Sequence, residues 1–140
     1  MEAHAHKGLM AVDRSPMQTY SLVVGALLTV LGVVGFFVSA DFSTGSSITA
    51  NTLIFFDING WSNLLHLATG LAGMYAATRV ALARQYAMVV GAIYVVVALV
   101  GVFSTTVLSM IPLNTADTVL YAAIGVIGLA LALGPMADKK

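Results

Sequence analysis

Apolar residues in this chain come in long unbroken runs, with neither the alternation of a half-buried strand nor the narrow stripe of a surface helix. Four runs are long enough to cross a hydrocarbon core of roughly 30 Å, which takes about 20 residues of helix. They cover about residues 17–40, 60–78, 86–108 and 116–133. None has Asp, Glu, Lys or Arg deep inside it, and Asp117 falls only in the first turn of the fourth. The runs are also too long, and too little alternating, for the strands of a membrane barrel. The pattern predicts an all-α fold, an integral membrane four-helix bundle over residues 17–134. A polar tail at 1–16 precedes it and another at 135–140 follows. The first tail has no apolar core of its own, so the first run is expected to act as an uncleaved insertion signal.

Helix starts are marked by polar residues. Asn59 and Asn114 stand where N-caps belong, with Ser62 and Asp117 three positions on, the spacing of a capping box. Asp117 would also sit well in the positive first turn of its helix. Pro112 suits the entry to the fourth helix. The connection 41–58 is the longest. Its first part is polar and turn-like, and its second part, TLIFFDI, is expected to rest in the interface or on a neighbour.

The two halves of the chain resemble each other. Residues 20–37 align without gaps on 86–103 with nine of eighteen identical, and 59–77 align on 114–132 with six of nineteen identical. Matched positions include Gly25 with Gly91, Gly35 with Gly101, Gly70 with Gly125 and Gly73 with Gly128. The shared order, caps and glycines predict two tandem two-helix repeats, related by a pseudo-twofold axis along the membrane normal. The glycines are expected to let helices approach closely, or else to leave room for a flat ligand or a partner's helix.

Around Asn59, Asn63, His66, Gly70 and Gly73 the sequence resembles a family of small bacterial four-helix membrane proteins, known as domain of unknown function 4383. The resemblance runs over roughly 17–133 and implies the same fold, a bacterial cytoplasmic membrane, and no established activity. Family members often carry a histidine at the matching place of the second repeat. Here that place is Tyr121, so a symmetric histidine pair is not expected.

Charge fixes an expected orientation. Lys7 and Arg14 precede the first run, Arg79 and Arg84 lie between the second and third, and Lys139 and Lys140 follow the fourth. All six basic residues therefore fall on one side, and by the positive-inside rule both termini are cytoplasmic. Arg79 and Arg84 are expected to set topology and touch anionic headgroups. Asp41, Asp57 and Asp117 fall on the other side, as caps or solvent-exposed groups. Phe36, Phe37, Phe55, Phe56, Trp61 and Phe103 gather near the outer ends, and Tyr20, Tyr75 and Tyr86 near the inner ends.

Composition narrows the chemistry. The chain has 140 residues, 59% hydrophobic and 9% charged, with zero net charge and no cysteine. Nothing points to nucleic acid as a partner, and disulfides, thiolate metal sites and cysteine nucleophiles are excluded. His66 is the only histidine in an apolar run. A polar group at that depth needs a partner, and Tyr121, its repeat equivalent, is the natural one, with Asn63 and Thr69 about one turn away on either side. The plain reading is an interhelical hydrogen bond that fixes register. Two sharper ones remain open: an axial ligand to a haem or chlorin, or a hydrogen bond to a quinone carbonyl. His4 and His6, with Glu2, form a short element that suits a disordered tail better than a metal site, and no metal site is expected. No phosphate loop, HExxH or nucleophile–histidine–carboxylate set is present, so an enzyme is not expected. The first functional expectation is a structural or accessory subunit packed against a larger membrane complex or against its own copies. A lipophilic-cofactor or quinone module at His66 comes second, and a small transporter or channel third.

Overall fold

The computed structural model describes residues 13–135. The tail elements around His4 and His6, together with Glu2, Lys7, Lys139 and Lys140, lie outside the described residues. The chain is mostly helical. Its four helices are α1 (Pro16–Val38), α2 (Gly60–Ala76), α3 (Val80–Phe103) and α4 (Thr115–Leu133). Three of them, α1, α3 and α4, are long and apolar enough to cross a membrane.

The boundaries depart from the sequence pattern in ways that have physical causes. The second run was expected to extend over 60–78, but α2 has 17 residues, roughly 25 Å of helix, and turns at Ala77. The third run was placed over 86–108. Instead α3 starts six residues earlier, because Arg84 and Gln85 can ride in its first turns with their polar ends at the surface. It stops at Phe103, where Ser104 turns the backbone into an extended conformation. The helical expectation holds, with one addition that the pattern did not predict. Two small antiparallel hairpins fill the connections, one of β1 (Asn51–Leu53) with β2 (Phe56–Ile58), the other of β3 (Thr106–Val107) with β4 (Ile111–Pro112).

Both hairpins turn through residues that disfavour the conformation they hold. Ile54 has φ 58°, and Leu108 and Ser109 both have φ 53°. This is the left-handed region, which a β-branched residue such as isoleucine rarely enters.

Capping boxes start three of the helices. Asn59 with Ser62, and Asn114 with Asp117, make the reciprocal bonds that the spacing predicts. Ser15 with Gln18 makes a third, and Pro16 follows it at the first helical position, where its missing N–H costs nothing.

α1 runs antiparallel to α2, and α3 to α4, and each pair closes on glycine. A Cβ on Gly25 would lie 2.6 Å from the backbone nitrogen of Met74, and one on Gly125 would lie 2.6 Å from that of Val95. Gly35 faces the Asn63 side chain and Gly101 faces that of Thr118. Arg14, Arg79 and Arg84 consequently share one end of the bundle, the basic end. Asp41, Asp57 and Asp117 share the other, the acidic end.

Bonds across the two pairs come in matching sets. Tyr20 on α1 donates to the carbonyl of Ile124 on α4 at 2.6 Å, and Tyr86 on α3 donates to that of Thr69 on α2 at 2.7 Å. At the acidic end the Asn59 amide donates to the Met110 carbonyl at 2.6 Å, and the Asn114 amide to that of Phe55 at 2.7 Å. Each cap asparagine thus holds the hairpin tip that precedes the other cap.

Candidate functional site: a buried polar seam between the helix pairs

α2 carries Ser62, Asn63, His66, Gly70 and Gly73 on one buried face. α4 answers with Asp117, Tyr121, Gly125 and Gly128. Spacings of three and four residues put each set on one side of its helix. His66 is 1% exposed and Tyr121 is wholly buried. The His66 Nε2 and the Tyr121 hydroxyl lie 2.7 Å apart, with the donor set by the histidine tautomer. The pair expected from the repeat is therefore made.

Asn63 does not join that pair. Its amide donates to the Ser39 carbonyl at 2.7 Å, so it ties α2 to the end of α1. Thr69 turns instead towards Tyr94 of α3, whose hydroxyl is 2.9 Å from its Oγ1, while that oxygen also donates to the Leu65 carbonyl. The ring of Tyr94 lies 5.1 Å from that of Tyr121. A polar seam thus runs from His66 and Tyr121 through Tyr94 and Thr69 to Tyr86. Tyr94 was not foreseen as part of it. Its signal was a lone hydroxyl in an otherwise aliphatic stretch, which is weak because tyrosine also suits interfacial positions.

The seam does not fit an axial ligand to a haem or chlorin. The His66 Nε2 is engaged by Tyr121, and the Nδ1 is buried without a hydrogen-bond partner. Gly70 and Gly73 do not leave a slot beside it. A Cβ on Gly70 would meet Thr29 and the Gly25 carbonyl, and one on Gly73 would meet the Tyr86 ring at 2.6 Å. Helix backbone and a tyrosine ring fill the space a macrocycle would need. Three hollows among the described residues lie elsewhere, and His66 lines none of the three. One of about 660 Å³ lies between α1 and α4, one of about 540 Å³ lies beneath the hairpins, and one of about 260 Å³ lies at the basic end of α1 and α2.

The remaining predicted residues have structural partners. Asp117 accepts from the backbone N–H of Asn114 at 2.9 Å and of Asp57 at 3.1 Å, so the carboxylate caps its own helix and holds the first hairpin. Asp41 accepts from Ser43 at both backbone and hydroxyl, and from Thr49. The Ser43 bonds, followed by that from Thr49, hold its carboxyl below the ordinary range. Arg84 donates from Nε to the Ala132 carbonyl at 3.1 Å and Gln18 donates to that of Ala77 at 3.0 Å. Both satisfy carbonyls that helix ends leave open. Among the described residues no three His, Cys, Asp or Glu side chains gather as a metal would require.

The family model described as "Domain of unknown function (DUF4383)" matches residues 18–134. The chain belongs to this family. The match spans all four helices and both hairpins, so the seam and its caps lie inside the family's own domain. No curated protein and no solved structure is significantly similar to the chain.

Proposed function

We propose that this DUF4383 protein is a non-catalytic, four-span protein of a bacterial cytoplasmic membrane that serves as a structural or accessory subunit of a larger membrane assembly. In this reading α2 completes the set of spans, since 17 residues is the short end of what a bilayer accepts. The basic end is cytoplasmic, with both termini there. The helix pairs are tandem repeats about a pseudo-twofold axis, which accounts for the matched bonds of Tyr20 with Tyr86 and of Asn59 with Asn114.

The observation that carries the functional part is where the polar groups go. His66, Tyr121, Tyr94, Thr69 and Asn63 each make a bond to one another or to a backbone carbonyl, and only the His66 Nδ1 and Asn63 Oδ1 of this set are buried without one. The outward faces are apolar, with Val30, Leu71, Val96 and Val126 each more than half exposed. A bundle whose polar chemistry is used internally has its outer surface left as the means of acting on anything else. The engagement of His66 and the filled glycine faces count against the pigment alternative, and no charged group in the seam favours an ion pathway.

Photo-crosslinking in native membranes from those four outward positions, one per helix, tests the reading. A discrete protein adduct from at least one helix is the expected result. Lipid adducts alone from all four would remove the accessory role.

A further inference from the structure

The groove of about 660 Å³ is walled by Pro16 to Leu27 on α1 and by Leu120 to Leu131 on α4. Apart from Arg14 its polar lining is Thr19 and Tyr20, and the Tyr20 hydroxyl is turned onto the Ile124 carbonyl at 2.6 Å. Each wall is twelve residues long, and the eleven steps along it give roughly 16 Å of helix rise. That is about half of a hydrocarbon core of roughly 30 Å, the depth of one leaflet. The groove reaches the basic end, where its one charged lining residue, Arg14, stands. Arg14 is exposed and makes no hydrogen bond or ion pair among the described residues. A guanidinium at that end, beside a slot about one leaflet deep, matches an anionic amphiphile end to end.

We infer that this groove holds one acyl chain of an anionic phospholipid from the leaflet at the basic end, with the lipid phosphate on Arg14. The inference rests on the membrane-spanning reading above. A second copy of the chain is a poorer occupant. A twofold contact through this groove would bring Arg14 of one copy towards Arg14 of the other, with like charges facing.

The test uses the full chain, purified in mild detergent and exchanged with phosphatidylglycerol or phosphatidylcholine of the same acyl chains, with retained lipid counted by native mass spectrometry. Retention of the anionic lipid should exceed that of the zwitterionic one by about fivefold, the value of one arginine near a charged headgroup. Arg14→Gln should bring the ratio to about one. Ala123 is small, exposed and lines the groove, so Ala123→Trp should abolish retention of both lipids at an unchanged melting temperature. Equal retention of the two lipids by the unaltered protein would overturn the proposal. So would unchanged retention in Ala123→Trp, or a lipid-free dimer that the same substitution dissociates. Labelling of Thr78→Cys from each side of the membrane reports the orientation separately. Labelling from the extracytoplasmic side would overturn the topology while leaving the lipid selectivity to be judged on its own.

Discussion

His66 and Tyr121 show what a buried polar pair asks of its surroundings. Both are sealed from solvent, and each is the other's partner at 2.7 Å. Removing one leaves the other unpaired where nothing can replace it, which costs more than the bond contributes. Tyr121→Phe and His66→Leu are each expected to lower stability by about 1–2 kcal/mol. The double variant should cost clearly less than the sum, as seen in unfolding titrations in mixed detergent micelles. Strict additivity would mean that the two side chains do not interact. The pairing itself was readable from sequence, because the repeat alignment set Tyr121 opposite His66. The company of Tyr94 and Thr69 was not. Nothing in a run of apolar residues says which tyrosine turns inward, and Thr69 reaches a different helix from the one His66 reaches.

At the scale of the elements, hydropathy located the four helices, with the largest boundary error six residues at the start of α3, and asparagines marked the starts of two. The third capping box, Ser15 to Gln18, was present in the sequence as SPMQ but straddled the boundary drawn between the polar tail and the first run. The hairpins were hidden for a different reason. Their turns carry Ile54, Leu108 and Ser109 at positive φ, where glycine or asparagine would have announced them. Tertiary bonds from Asn59 and Asn114 to the hairpin tips hold what local propensity does not favour.

Helix contact also makes a graded prediction. A Cβ on Gly25 would press on backbone at 2.6 to 2.9 Å, whereas one on Gly91 would find its neighbours at 3.0 to 3.2 Å. Gly25→Ala should cost about 2 kcal/mol and Gly91→Ala less than about 1 kcal/mol, measured as melting temperatures in detergent. The reverse order would contradict the packing described.

The connection after α1 has its own pH dependence. Folding lowers the Asp41 carboxyl through its bonds to Ser43 and Thr49, so the folded loop binds a proton less readily than the free chain. Its contribution to order is therefore complete above the ordinary carboxylate range and is lost as pH falls through the lowered value. Amide exchange over residues 41–49 should quicken, relative to the intrinsic rate, on acidification. Asp41→Asn should exchange fast throughout, with the pH step removed. A step of the same size in both proteins would place its cause elsewhere.

The molecule as a whole reads as two helix pairs joined by reciprocal bonds at both ends. The proposed duplication gives those bonds a common origin. Tyr20 and Tyr86 lock the pairs towards the basic end, the cap asparagines lock them at the acidic end, and the seam of His66, Tyr121, Tyr94 and Thr69 lies between. The apolar runs and the charge asymmetry are legible in the sequence, as is the likeness of the halves on which the proposed duplication rests, because each is a pattern in one dimension. The apolar groove between α1 and α4 was not legible, since it depends on how closely two helices distant in sequence approach.

Such a bundle turns its polar side chains inward, each with at least one internal bond, which leaves the outward faces to act. The most direct measurement is the mass and composition of the particle that carries this protein when native membranes are dissolved in mild detergent. The account predicts a particle well above the 14.5 kDa of one chain, with at least one other membrane protein in fixed stoichiometry. A particle of one chain with detergent and lipid alone, from membranes in which crosslinking also finds no neighbour, would contradict it.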